Sequence, residues 1–206
     1  MNTKPAIILG CTGQDGSLLC KLLLEKGQKV VGLTRSNTDR IRNLKILGIE
    51  KDVEIKKGDI TDFKTIEKLI HDYHPEAIYN LAAQSSVGKS IIYPLDTMQG
   101  IVNGSLNLLE VSRNLNYSGK IFFAGSSEIF GNTEKGADIE YKQSPISPYA
   151  IAKQASFNLV KLYREIHQIK CVTGILFNHE SHLRNENFVT QKIIKNALSI
   201  KKNDKK

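Results

Sequence analysis

Nowhere in the 206 residues does an apolar run approach the roughly 18 that a membrane-spanning helix needs. The apolar stretch at 5–9 is too short for a secretory signal and runs straight into glycine, so the expectation is a soluble, cytoplasmic chain with no membrane partner. Cysteine is scarce as well. Cys11, Cys20 and Cys171 are odd in number, lack metal-ligand spacing and have apolar neighbours, which predicts buried free thiols in a reducing compartment and no metal. Internal repeats are absent, and low complexity is confined to the lysine-rich end. Lys and Arg total 29 against 21 Asp and Glu, a formal +8. Four Lys and one Asp in the last six residues supply +3 of it. No helix-turn-helix, zinc-finger or basic–aromatic pattern accompanies this charge, which sets nucleic acid aside and favours an anionic small ligand.

What the chain does have is alternation. At 40% hydrophobic and 24% charged its composition is globular, and the length suits one domain and a little over. Short apolar, β-branched runs predict strands at 6–9, 29–33, 53–57, 77–80, 120–124 and 171–176. Helical periodicity predicts helices at 17–26, 61–71, 97–114 and 149–167 between them. Strand–helix alternation of this kind specifies an α/β fold, a doubly wound parallel sheet with helices on both faces. After 176 the pattern changes: 178–187 is polar and loop-like, 188–200 is helical, and the chain then stops. Residues 1–176 therefore read as one domain, and 177–206 as the start of a second lobe that is largely missing.

Gly10-Cys11-Thr12-Gly13-Gln14-Asp15-Gly16 falls between the first strand and the first helix. Glycines at these three positions allow a tight turn, close approach of backbone to a pyrophosphate, and close packing of helix on sheet. The helix N-terminus then offers unpaired N–H groups to the phosphates. An NAD site calls for an acid at the end of the second strand, yet here the sequence is Leu33-Thr34-Arg35-Ser36. Arg35 suits a 2′-phosphate, with Arg40 and Arg42 adding to its field, so NADP is favoured over NAD. Asp59, beside Ile60 after the third strand, is placed to approach the adenine. After the fourth, Leu81, Ala82, Ala83 and Ser85 offer small or apolar side chains where the cofactor passes the backbone.

Tyr149 and Lys153, four apart on a predicted helix, share one face. Ser126 and Ser127 follow the fifth strand at the carboxyl edge, where open α/β sheets bind ligands. A Tyr hydroxyl near its usual pKa of about 10 is a poor base at neutral pH. A neighbouring ammonium and the positive nicotinamide ring are both expected to lower that value and ready the phenol for proton transfer. Glu128, two residues past Ser126, adds a carboxylate. Hydride exchange alone does not need one, but elimination of water does.

Taken together, GCTGQDG (10–16), GDITD (58–62), YNLAAQSSV (79–87), SSEIFG (126–131), SPYAIAK (147–153), GILFNHES (174–181) and FVTQKI (188–193) resemble the extended short-chain dehydrogenase/reductase superfamily. Within it they are most similar to the GDP-mannose 4,6-dehydratase family. The resemblance implies a Rossmann fold binding NADP and conversion of GDP-D-mannose to GDP-4-dehydro-6-deoxy-D-mannose. It places Ser126 where the family has a catalytic Thr, and Glu128, Tyr149 and Lys153 on the family's Glu, Tyr and Lys. His179 and Arg184 fall where the family contacts NADP. Ser85, Asn178 and Lys192 fall where it holds the nucleotide sugar. It also implies a homo-oligomer, dimer or tetramer, paired through the helices at 97–114 and 149–167. Two other readings stay open: a catalytically silent dinucleotide-binding fragment, and a related nucleotide-sugar epimerase or 4-keto reductase.

Overall fold

The computed structural model describes residues 4–35 and 41–203. Strands β1 (Ala6–Leu9), β2 (Val30–Thr34), β3 (Val53–Lys57), β4 (Ala77–Asn80), β5 (Lys120–Ala124) and β6 (Cys171–Gly174) form a six-stranded sheet. All pairings are parallel, in the order β3-β2-β1-β4-β5-β6. Parallel neighbours require crossovers, and a right-handed helix supplies each one. The order is that of a doubly wound Rossmann sheet, in which β1 and β4 lead away in opposite directions. Their diverging connections open a crevice at the carboxyl ends of the strands, which is where this topology places ligands.

β1 and β2 are buried at every position, as a sheet covered on both faces demands. Side-chain alternation splits β1 between two cores. Ala6 and Ile8 pack with Cys20, Leu23 and Leu44 from α1 (Gln14–Glu25) and α2 (Arg42–Ile46). Ile7 and Leu9 pack on the other side with Ile66 and Leu69 of α3 (Phe63–Tyr73). Between β4 and β5 run α4 (Val87–Ile92), α5 (Pro94–Met98) and α6 (Gly104–Asn114). Leu108 and Leu109 of α6, and Val160 of α7 (Pro148–Ile166), complete that second core. Cys11, Cys20 and Cys171 are buried free thiols, the first two pushed up to about 12 chiefly by desolvation, and hence unreactive. No helix among the described residues is long and apolar enough to cross a membrane.

Two expectations about helices need correction. The single helix expected over 97–114 is broken by a π-helical turn, Gln99–Asn103, between α5 and α6. The cause is tertiary: at Gly104 a Cβ would sit 2.8 Å from Ile60 Cγ2, and Asn107 Nδ2 donates to the carbonyls of Ile60 (3.2 Å) and Thr61 (2.8 Å). The chain widens one turn to seat α6 on that loop. The helix expected from Thr61 begins at Phe63, because Asp62 Oδ1 accepts from Lys64 N at 3.1 Å and caps it. After β6 a strap of residues 177–188 crosses back over the carboxyl edge to α8 (Val189–Asn203), whose outer face is exposed.

Candidate active site

The carboxyl edge carries two adjoining cavities, of 490 and 590 Å³, both lined by Gly13 and by residues 81–84. Gly10, Thr12, Arg35, Asp59 and Ile60 line the first. Gln14, Asp15, Gly16 and Ser85 line the second, together with Ser126, Glu128, Tyr149 and Lys153. Leu81, Ala82 and Ala83 form the floor common to both. Asn178, His179 and Arg184 reach the second cavity from the strap. Lys192 does not: it is exposed on α8 and lines neither cavity, which corrects its expected placement. It falls two residues, about half a turn, beyond Thr190, where lining by this segment ends.

The glycine turn is dictated by space. Gly10 has φ +85°, a left-handed conformation that favours glycine. At Gly16 a Cβ would lie 2.2 Å from the Gly10 carbonyl oxygen, so α1 packs against the turn only with hydrogen there. Gly13 is the N-cap of α1, and no side chain caps it, which leaves the helix N-terminus open to an anion. The turn is pinned by a Thr12–Thr34 hydroxyl contact at 3.1 Å and by Asn43 Nδ2 donating to the Thr12 carbonyl at 3.1 Å. Asn43 carries no motif signal and is visible only in the fold. Arg35 is exposed and lies 3.7 Å from the Asp59 carboxylate. Of its expected companions, Arg42 is exposed at the start of α2 and Arg40 lies outside the described residues.

Ser147 and Pro148 fix the start of α7: the Ser147 hydroxyl accepts from Ala150 N at 3.1 Å, and Pro occupies the first turn. Tyr149 and Lys153 follow on one face, both buried. Lys153 Nζ donates to the Ala124 carbonyl at 2.7 Å and lies 5.7 Å from the Tyr149 ring centre. Desolvation holds the Lys153 amine down at about 8. Ser126 Oγ accepts from Glu128 N at 3.2 Å, capping the 3₁₀ turn Ser127–Phe130 and fixing the Glu128 backbone beside it. On balance the protein's own groups do not lower the Tyr149 phenol. Burial pushes its phenol up, Ser126 hydrogen bonding pulls it down, and Glu128 raises it again. Desolvation is the largest of these causes, and Lys153, buried and turned to the Ala124 carbonyl, is not among them.

Gln14 and Asp15, expected at the cofactor, line the second cavity, and their side chains also bind the strap. His179 Nε2 is 2.9 Å from both Asp15 carboxylate oxygens, and its Nδ1 is 2.7 Å from the Phe177 carbonyl. Ser181 Oγ donates to Gln14 Oε1 at 3.0 Å, and Gln191 Nε2 donates to the Ser181 carbonyl at 3.2 Å. Arg184 stacks at 3.6 Å on the Phe188 ring, and its buried Nε faces a Glu180 carboxylate oxygen at 3.6 Å, an ion pair too long for a hydrogen bond. Ser181 and Gln191 were not anticipated.

Residues 7–206 match the family profile of GDP-mannose 4,6 dehydratase. The chain is 41% identical over 212 aligned residues to the GDP-mannose 4,6-dehydratase of Vibrio cholerae, covering 97% of this chain and 56% of that protein. It thus spans a little over half the length of the curated relatives it matches. Its fold is similar to that of a Methanobrevibacter ruminantium UDP-N-acetylglucosamine 4-epimerase in complex with UDP-N-acetylmuramic acid, with TM-score 0.85 and 27% identity over 97% of this chain and 64% of that one. A Thermus thermophilus UDP-glucose 4-epimerase in complex with NAD superposes with TM-score 0.74 and 27% identity over 82% of this chain and 53% of that one.

Proposed function

The chain belongs to the GDP-mannose 4,6-dehydratase family, and from that premise we propose that it converts GDP-D-mannose to GDP-4-dehydro-6-deoxy-D-mannose with bound NADP. On this reading residues 1–176 form the NADP-binding domain with the catalytic set, and 177–206 begin the sugar-nucleotide lobe. The residues fit a dinucleotide: a glycine turn with no room for side chains at Gly10 and Gly16, an uncapped helix N-terminus, and a buried Arg184 Nε with an ion-pair partner but no hydrogen-bond acceptor. Arg35 supports NADP over NAD, its guanidinium held at the mouth of the first cavity. Ser85 and Asn178 would orient the nucleotide sugar. A cytoplasmic location and a homo-oligomer complete the proposal.

A dinucleotide held by the Gly10–Gly16 turn and Arg35 would supply a reversible hydride acceptor for the sugar. Ser126 donates a hydrogen bond to the C4 oxygen while Tyr149 accepts the C4 hydroxyl proton. Lys153 orients the site from beneath Tyr149. Glu128 then takes the C5 proton and delivers it to the departing C6 hydroxyl, so that water leaves; when C6 is reduced, C5 regains a proton equal to the one Tyr149 took from the C4 hydroxyl, which returns both residues to their starting states. The observation that carries this reading is Glu128 lining the same cavity as Ser126, Tyr149 and Lys153, because epimerisation or 4-keto reduction needs no elimination base. The test is to incubate the purified chain with NADP+ and GDP-mannose and look for the 4-keto sugar. Glu128→Gln should lower product formation by roughly 10²–10⁴-fold and leave NADP+ binding unchanged. Unaltered turnover in that variant sinks the role of Glu128, and binding without turnover in the parent chain favours the silent fragment.

A further inference from the structure

We infer that Gln14 and Asp15 are positioning residues that clasp the 177–188 strap over the catalytic cavity, with the His179–Asp15 pair as a clasp that opens when the imidazole loses its charge. The argument starts from an apparent conflict. Asp15 stands in the first turn of α1, the helix end that would receive a pyrophosphate, where a bare carboxylate repels an anion. Its oxygens are instead both 2.9 Å from His179 Nε2. The other ring nitrogen lies 2.7 Å from the Phe177 carbonyl. A carbonyl and an ionised carboxylate only accept, so both ring nitrogens carry protons and the ring is an imidazolium. It cancels the Asp15 charge at the helix end and ties the strap to α1 in one contact. Ser181 bonded to Gln14, and Gln191 bonded to the Ser181 carbonyl, fasten the strap further along. The fastened strap is what brings Asn178 and Arg184 to the cavity.

The groups facing His179 come from three sides. Asp15 on α1 and the Phe177 carbonyl raise its pKa, while Arg184 on the strap, itself paired with Glu180, lowers it. Glu128 and Tyr149 line the same cavity across from it. The net shift is upward from 6.5. While Asp15 is ionised, the charged clasp therefore holds below the ordinary imidazole value and is lost as pH rises through the elevated one. A dinucleotide that must be regenerated in place benefits from a closed strap, and this consequence rests on the cofactor reading proposed above.

Amide hydrogen-exchange protection of the strap tests the clasp with or without a ligand, and NADP+ dissociation tests its consequence. In the wild-type chain, strap protection corrected for intrinsic exchange should fall several-fold as pH rises past the His179 midpoint, and NADP+ should leave faster in parallel. Asp15→Asn should show the loosened strap at every pH, roughly three- to tenfold less protected, with the pH dependence gone. β1 and β4 should stay as protected as in the wild type. If Asp15→Asn fails to fold, His179→Gln gives the same reading from the strap side. Strap protection indifferent to pH and to both substitutions overturns the clasp. Absence of NADP+ binding at all pH values would instead overturn the cofactor reading, leaving the exchange data to decide the clasp.

Discussion

Lys153 is buried to 9% exposure and its ammonium donates to one carbonyl, Ala124. Its folded pKa of about 8 lies below the ordinary 10.5, so the folded chain binds this proton less tightly than the unfolded one. The penalty is present in full below pH 8 and is relieved as pH rises from about 8 towards 10.5. At roughly 1.4 kcal/mol per unit, the relief amounts to a few kcal/mol. Lys153→Met removes this dependence and leaves the Ala124 carbonyl without its donor, a pH-independent loss of about 1–3 kcal/mol. The unfolding free energy of Lys153→Met relative to wild type should therefore fall by a few kcal/mol between pH 7 and pH 10. Denaturant titrations at the two values measure it, and an unchanged difference would mean that no charge is buried there. The pairing of Tyr149 with Lys153 was legible because four residues make one helical turn. The sign of the phenol's shift was not, because desolvation depends on what the fold stacks around it.

At the scale of elements, helix starts connect stability to chemistry. Asp62 caps α3 and Ser147 caps α7 by the same device, a side-chain oxygen accepting from a first-turn N–H. Replacing either by Ala should cost about 1 kcal/mol. Only Ser147→Ala should also depress turnover, by a few-fold, because Tyr149 and Lys153 hang from the first two turns of α7 whereas α3 carries none of the catalytic set. Steady-state kinetics beside thermal melts separate the two effects, and equal turnover in both variants would break the link. Strands were the most legible elements: β1, β3, β4 and β5 fall on their expected residues, β1 as an unbroken, fully buried apolar run, whereas β3 at the sheet edge is Val-Glu-Ile-Lys-Lys and mostly not buried. The π-helical turn was hidden, since it answers to Ile60 packed on Gly104 and not to any local preference. The clasp was hidden for the same reason: it joins side chains 164 residues apart.

Across the whole molecule, stability is unevenly distributed. Ile7, Ile8, Ile78 and Leu108 are at most 1% exposed in the cores on either side of β1 and β4. By contrast, α8 exposes Val189, Ile193, Leu198 and Ile200, each above half its surface. Its anchoring is polar and local, through Gln191 to Ser181 and Lys195 to Glu186 at 2.7 Å. An exposed ion pair of that kind contributes at most about 1 kcal/mol, whereas emptying a core position such as Leu108 by substitution with Ala should cost about 2–5 kcal/mol. Local opening of α8 should thus be far cheaper than opening of the sheet. Native-state hydrogen exchange is expected to show 189–203 exchanging through local fluctuations at low denaturant, while β1 and β4 exchange only through global unfolding. Leu108→Ala should then accelerate exchange in β1 and β4 by the full loss of stability and leave the rate in α8 almost unchanged. Equal acceleration in α8 would mean that the last helix is part of the cooperative core, and that the apolar face it exposes is better anchored than its contacts indicate.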